Sequence, residues 1–225
     1  MKRYLPYIII AVVALTAATA GTLLYRTKHA RIAALAARTA ADNAGGKPGA
    51  TPAHVQGRDD APVTIEEFGD FQCPPCGALA SLLHTLEHDY PGKLRLIFRE
   101  YPLEVHKYAR LAALGAEAAA LQGRFWEMHQ QLYSAQNEWS KADDFKPLLN
   151  TYANKIGLDL KRFNADLESE KGVARLALDR ERATSLGVNS TPTLFINGKS
   201  VAPASRTPEG LRAAIQEAIY GKKTP

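Results

Sequence analysis

The rhythm of apolar and polar positions changes several times along the chain. Residues 4–25 form an uncharged, mostly apolar run behind the basic start Lys2-Arg3. A bilayer span takes about 20 such residues, so residues 1–25 predict one transmembrane helix, with Pro6 near its start, where a missing N–H costs least. Ala18-Thr19-Ala20 also resembles the cleavage site of a signal peptide; the continuation through Leu23, Leu24 and Tyr25 favours the anchor. Residues 26–58 are rich in Ala, Gly and polar side chains. Residues 29–41 could continue as a helix, whereas Asn43-Ala44-Gly45-Gly46-Lys47-Pro48-Gly49 reads as flexible linker.

From residue 59 to 222 the pattern predicts one folded α/β domain. Val63-Thr64-Ile65-Glu66-Glu67-Phe68 reads as a strand. Residues 73–88 read as a helix with proline in its first turn, and Leu94-Arg95-Leu96-Ile97-Phe98 as the next strand, parallel to the first across a helical crossover. A long helical block follows over about 106–186. Leu111, Leu114, Ala118 and Leu121 keep helical spacing; Trp126 and Leu132, Phe145 and Leu149, and Leu176 and Leu178 mark further helices. Thr193-Leu194-Phe195-Ile196 and Lys199-Ser200-Val201 flank Asn197-Gly198, the strongest short hairpin signal. A last helix starts at Thr207 as cap, with Pro208 in its first turn and Leu211, Ile215 and Ile219 on its apolar face.

Composition permits this plan: 225 residues, 46% of them hydrophobic, suffice for one domain with additional segments. The net charge of +5 is unevenly placed. Residues 1–58 carry eight Lys or Arg against Asp42 alone, a net of +7, which leaves −2 for residues 59–225. A nucleic-acid footprint needs its basic patch on the domain, so that class is excluded. Basic residues flank both ends of the apolar run, and the positive-inside rule alone would tilt the orientation the other way; placing the C-terminal part outside the cytoplasm follows from the thiol chemistry below.

The chain has two cysteines, separated by two residues. A disulfide scaffold would use more of them, spread along the chain. Cys73-Pro74-Pro75-Cys76 follows a strand and a turn and opens a helix. Thiolates attack disulfides, and a helix N-terminus lowers a thiol pKa through its free N–H groups and dipole. Cys73 is thus the candidate nucleophile, expected to be exposed, and Cys76, one turn in, the candidate resolving thiol, expected to be buried. Zinc is the competing use, with His84 and His88 as further ligands. His84 lies eight residues past Cys76, about 12 Å along one helix, too far to meet it at a metal with bonds of about 2 Å.

The segment Glu67-Phe68-Gly69-Asp70-Phe71-Gln72-Cys73-Pro74-Pro75-Cys76, together with Thr191-Pro192-Thr193-Leu194-Phe195-Ile196-Asn197-Gly198, resembles the DsbA-like branch of the thioredoxin superfamily over residues 59–222. The resemblance implies a thioredoxin-like fold with a helical insertion and disulfide exchange with exported, cysteine-containing proteins. It also implies that Thr191-Pro192 is the family's cis-proline loop, facing the Cys73 sulfur and pairing by its backbone with an extended substrate segment. Glu67, six residues before Cys73, matches a buried acid of thioredoxin-like proteins that would take the Cys76 proton, its pKa raised by burial; a solvated charge at a strand end is the alternative. Glu66 points to the other face. The departure is the middle dipeptide. The family's best-known oxidase has Pro-His there, whereas Pro74-Pro75 supplies neither a histidine cation nor backbone N–H groups. Cys73 is therefore expected to have a pKa below ~8.5 but above the ~3.5 of the strongest oxidase, making a milder oxidant.

His106 reads as a capping or surface residue, Phe125, Trp126 and Tyr133 as core, and Asp179-Arg180-Glu181-Arg182 as a solvated helix face. The expected protein is a monomeric thiol–disulfide oxidoreductase, anchored by its N-terminal helix in the inner or plasma membrane with the catalytic domain on the extracytoplasmic side. It needs no metal or organic cofactor, the disulfide being the redox group, and a membrane redox partner would reoxidise it. The alternatives are a tethered reductase or isomerase, or a chaperone-like binding module without turnover.

Overall fold

A computed structural model describes residues 21, 22, 25 and 46–221. The predicted transmembrane helix at 1–25 and the linker up to residue 45 lie outside the described residues, apart from Gly21, Thr22 and Tyr25. Among the described residues no helix is long and apolar enough to cross a membrane.

Strand β2 (Val63–Gly69) is nearly all buried, because it lies in the middle of a five-stranded sheet with β1 (His54–Gly57), β3 (Leu94–Glu100), β4 (Thr193–Ile196) and β5 (Lys199–Ser200), in the order β1-β3-β2-β4-β5. It runs parallel to β3 (Leu94–Glu100), in register from Val63 with Leu94 to Gly69 with Glu100. Helix α1 (Pro74–Asp89) makes the crossover between them. On its other side β2 is antiparallel to β4 (Thr193–Ile196). The hairpin to β5 (Lys199–Ser200) turns at Asn197 and Gly198, with φ of 47° and 77°, the two left-handed residues that a type I′ turn demands. Helix α8 (Pro208–Tyr220) starts where the sequence predicts, with the Thr207 side chain accepting from the Gly210 N–H. Alternation along the strands sorts side chains by face. Val63, Ile65, Leu94, Leu96, Leu194 and Ile196 pack under α1 and α8, whereas Phe68 and Phe195 pack on the opposite face beside Ala183.

Between β3 and β4 lie α2 (Ala109–Ala120), α3 (Phe125–Ser134), α4 (Gln136–Trp139), α5 (Lys146–Lys155), α6 (Leu160–Asp166) and α7 (Glu170–Ser185). They build a second core around Met128, Leu132, Trp139, Phe145, Leu149 and Phe163, which Phe98 joins from the sheet and Phe71 from the turn after β2. Each such side chain contributes about 1.5–3 kcal/mol on burial. Phe125 is part of this core, with Trp126 and Tyr133 packed against it, as expected. The buried face of α2 consists largely of alanines, and α5 comes so close that a Cβ on Gly115 would lie 2.8 Å from Leu149.

Two expectations need correction. Part of the segment assigned to the linker belongs to the fold: β1 (His54–Gly57) pairs antiparallel with β3, and His54 stacks on Phe125 at 3.5 Å between ring centroids. Ala50 is buried, donating its N–H to Asp179 at 2.8 Å and accepting from Arg99 at 2.9 Å. Gly49, read as a linker residue, has φ +74°, and a Cβ there would lie 2.9 Å from both Arg99 and Arg182. The segment is held through backbone groups and buried charges, which leave no hydrophobic period to read.

The stretch 179–182 is likewise not uniformly solvated. Asp179 and Arg182 are buried, one helical turn apart on the inner side of α7. Arg182 donates to both oxygens of Glu66 at 2.6 and 2.7 Å. Arg99 bridges Glu66 at 2.8 Å and Asp179 at 3.1 Å. Burial of these charges is tolerable because each is paired.

Candidate active site

The turn after β2 is fixed by its own polar groups. Asp70, buried, accepts the Gln72 N–H on its carboxylate at 2.7 Å and the Cys73 N–H on its carbonyl at 3.1 Å. Cys73 then stands as the N-cap of α1, in extended conformation at φ −76°, ψ 117°. Pro74 and Pro75 fill the first two helical positions, where prolines fit because their missing N–H groups would have no helical partner. The first amide donors of the helix are therefore those of Cys76 and Gly77, which reach the Cys73 carbonyl at 3.0 and 3.2 Å.

Both cysteines are free thiols and both are buried; the exposed position expected of Cys73 is thereby corrected, its sulfur lying against the Thr191 loop. Cys73 Sγ–H donates to the Thr191 carbonyl at 3.6 Å, and the Thr191–Pro192 bond is cis. The loop thus faces the sulfur as the resemblance implies. The Cys73 thiol is pulled down to about 6, chiefly by a hydrogen bond from the Cys76 thiol; burial works against this. Thr191 and the Cys76 N–H assist, and the Asp70 charge opposes. Cys76 moves far upward, first through burial, then through its bond to Cys73 and the nearby Glu67 carboxylate. One thiol of the pair ionises near neutrality while the other holds its proton, the division of labour that dithiol exchange requires.

Glu67 is on the α1 face of β2 and buried. Burial, and secondarily the Cys73 charge, push its carboxyl up to about 8. Its Oε1 has no hydrogen-bond partner among the described residues, and it lines a cavity of about 580 Å³ with His84, His129 and Tyr133. A carboxyl in this state can pass a proton to or from a neighbouring sulfur near neutral pH. The solvated alternative for Glu67 is thereby overturned, and Glu66 faces the opposite side, bound to the two arginines. His84 and His88 are exposed along α1.

Sequence reasoning missed several residues around the pair. His106, read as a capping or surface residue, is half-buried, with its Nδ1 2.6 Å from Asp70 Oδ2. Gln72 is held from the insertion, accepting the Tyr108 N–H at 2.6 Å and donating to the Ser140 carbonyl at 3.3 Å. Gln136, buried in α4, donates to the carbonyls of Phe71 at 2.7 Å and Cys73 at 2.9 Å. Arg206 donates to the Pro192 carbonyl, and to that of Val201 at 3.2 and 3.1 Å. Gln72, His106 and Gln136 carry no local signal, since each acts on a segment more than 30 residues away.

Comparison with known proteins places this geometry. A family model described as Thioredoxin matches residues 50–217. The crystal structure of oxidised BdbD from Bacillus subtilis superposes with a TM-score of 0.68 at 26% identity, covering 79% of this chain and 98% of that one. A thioredoxin-like oxidoreductase from Silicibacter pomeroyi gives 0.60 at 26% identity, covering 73% and 93%. The thiol-disulfide exchange protein α-DsbA2 from Wolbachia pipientis shares the fold, with a TM-score of 0.64 at 23% identity over 74% of this chain and 87% of that one. Among curated proteins, a Na(+)/H(+) antiporter NhaA 1 of Salinispora arenicola is 42% identical over 171 residues, 76% of this chain and 25% of the antiporter. An NhaA 3 of Salinispora tropica is 44% identical over 147 residues, 65% and 22%. The chain thus spans about a quarter of the length of the curated relatives it matches. It belongs to the thioredoxin family, with a fold of the DsbA-like kind.

Proposed function

We propose that the protein donates disulfides to exported cysteine-containing proteins through the Cys73–Cys76 pair, acting as a monomer held by its N-terminal segment at the extracytoplasmic face of a membrane. The observation that carries the reading is the asymmetry of the two thiols, Cys73 pulled down to about 6 and Cys76 pushed up. Stabilising the reduced thiolate is what makes such a pair oxidising. In the oxidised enzyme a substrate thiolate attacks Cys73 Sγ. The Cys73–Cys76 bond breaks, and Cys76 leaves with the electron pair and takes a proton from the Glu67 carboxyl. A second substrate thiolate then attacks the substrate sulfur of the mixed disulfide. Cys73 leaves as the thiolate, and two electrons have passed to the enzyme pair. Thr191, beside the cis-proline, offers backbone groups to an extended substrate segment. A membrane redox partner takes the two electrons away.

The membrane setting draws support from the apolar run at 4–25 and from relatives that share this domain and are named as ion antiporters, a function exercised across a membrane. The deciding measurement is the reduction potential of the Cys73–Cys76 pair. A value between about −120 and −180 mV, the range of DsbA and protein disulfide isomerase, supports donation. A value near about −270 mV, like thioredoxin, would reverse the direction and make it a reductase. A Cys73→Ser variant that kept its biological role would instead favour the binding module.

A further inference from the structure

Gln136 reaches the redox pair from the helical insertion. It is 8% exposed, and its Nε2 spends both hydrogens on the active-site turn, at 2.7 Å to the Phe71 carbonyl and 2.9 Å to that of Cys73. Gly77 makes room for it: a Cβ there would lie 2.7 Å from Gln136 Oε1. The Cys73 carbonyl consequently faces three donors, Gln136 Nε2, Cys76 N at 3.0 Å and Gly77 N at 3.2 Å. A carbonyl oxygen has two lone pairs, so the three compete. An ordinary helix start has four N–H groups without helical partners; Pro74 and Pro75 remove two of them. The Cys76 N–H is then the first amide able to serve either the Cys73 carbonyl or the Cys73 sulfur, and what one gains the other loses.

We propose that Gln136 is a positioning residue for the redox pair: by sharing the Cys73 carbonyl with the Cys76 and Gly77 amides and clamping Phe71, it weakens that carbonyl's hold on the Cys76 N–H and frees it in part for the Cys73 sulfur, so that the helical insertion tunes the reactivity of the thiol. The inference rests on Cys73 being the attacking thiol. It agrees with the Cys76 backbone amide being among the groups that favour the Cys73 thiolate.

The test uses the full chain. Gln136→Met keeps the length of the side chain and removes both donors. The readouts are the pH midpoint of Cys73 alkylation and the equilibrium constant with glutathione, with Tm measured alongside. The expected result is a midpoint raised by about half a unit, which at pH 7 makes the pair about 2.5-fold less oxidising, or about 12 mV. Gly77→Ala is the second variant. Helices favour Ala over Gly by about 1 kcal/mol, so a merely structural role would leave the midpoint where it is; the clamp requires it to rise, because the new methyl displaces the Gln136 amide. An unchanged midpoint and equilibrium constant in either folded variant would overturn the inference whatever happens to Tm. A wild-type protein whose Cys73 neither alkylates nor exchanges with glutathione would overturn the role of Cys73 itself, and this inference with it.

Discussion

Replacing Glu67 by glutamine should make the reduced protein more stable and the enzyme slower. Glu67 is fully buried, and its carboxyl is raised from 4.5 to about 8 by burial first and the Cys73 charge second. The folded state therefore keeps a proton that the unfolded chain releases. Below pH 4.5 both states are protonated and the group costs nothing. As pH rises from 4.5 to 8 the unfolded chain gains by ionising, and wild-type stability falls by 1.36 kcal/mol per unit. At pH 7 the loss amounts to about 3 kcal/mol, and above pH 8 it levels off at about 5 kcal/mol. A glutamine side chain has nearly the same shape and no proton to lose, so the Glu67→Gln variant escapes this cost. Urea unfolding of the reduced proteins at pH 4, 7 and 8.5 should show a gain near zero at pH 4 that grows along that curve. The same substitution removes the group proposed to exchange a proton with Cys76. Resolution of a mixed disulfide at pH 8 should slow by about 100-fold, the low end for general acid–base catalysis. A stability difference that does not change between pH 4 and 8.5 would refute the burial argument. An unchanged resolution rate would refute the proton role.

Three further outcomes follow from the same structure. Alkylation of Cys73 should show a midpoint near pH 6, and Cys76→Ala should move it upward toward ~8.5, because the Cys76 thiol supplies the largest stabilisation of the Cys73 thiolate; an unmoved midpoint would assign the effect to Thr191 and the amides. Arg182→Met should destabilise the domain by about 3–5 kcal/mol in denaturant titrations, the cost of leaving a buried charge without its partner, since Glu66 loses two bonds at once; a change under about 1 kcal/mol would mean that Arg99 alone satisfies it. Gly49→Ala should cost about 1–3 kcal/mol by the same assay, as the position combines φ +74° with approaches of 2.9 Å; a neutral result would return this segment to the linker.

What the sequence discloses and what it hides divide along a physical line. Alternation in 63–68, the Asn197-Gly198 turn and the Thr207 cap are local: each residue's partner is itself, a neighbour or solvent. The strands β2, β3 and β4, the hairpin and the last helix are accordingly where the pattern puts them, whereas β1 is not. The Cys73–Cys76 pair is legible for the same reason, since a helix N-terminus is a local device. Buried polar groups obey a different rule. They must be satisfied, but nothing nearby says by whom. Glu66 finds Arg182 across 116 positions, and Gln136 finds Cys73 across 63. In the sequence Arg182 looks like one charge in a solvated run, and Gln136 like any polar residue of a helix. Gly49 misleads in the opposite sense, because a glycine demanded by a left-handed backbone reads identically to one that loosens a linker.

This division bears on how such an enzyme can vary. With Pro74-Pro75 between the cysteines, the turn has given up two of the amides that would otherwise stabilise a thiolate, and no cation replaces them within the motif. The remaining stabilisation comes from the Cys76 thiol, Thr191 and one backbone amide, opposed by burial and by Asp70. Thr191 belongs to the loop before β4 and Asp70 to the turn after β2, while Gln136 and His106 reach that turn from the helical block and its approach. The dipeptide fixes which local donors are missing. The reactivity that results depends on the Cys76 thiol inside the motif and also on Thr191, more than 30 residues away, so the redox character of a Cys-Pro-Pro-Cys chain of this fold cannot be carried over from its motif to another chain without the residues that contact the turn.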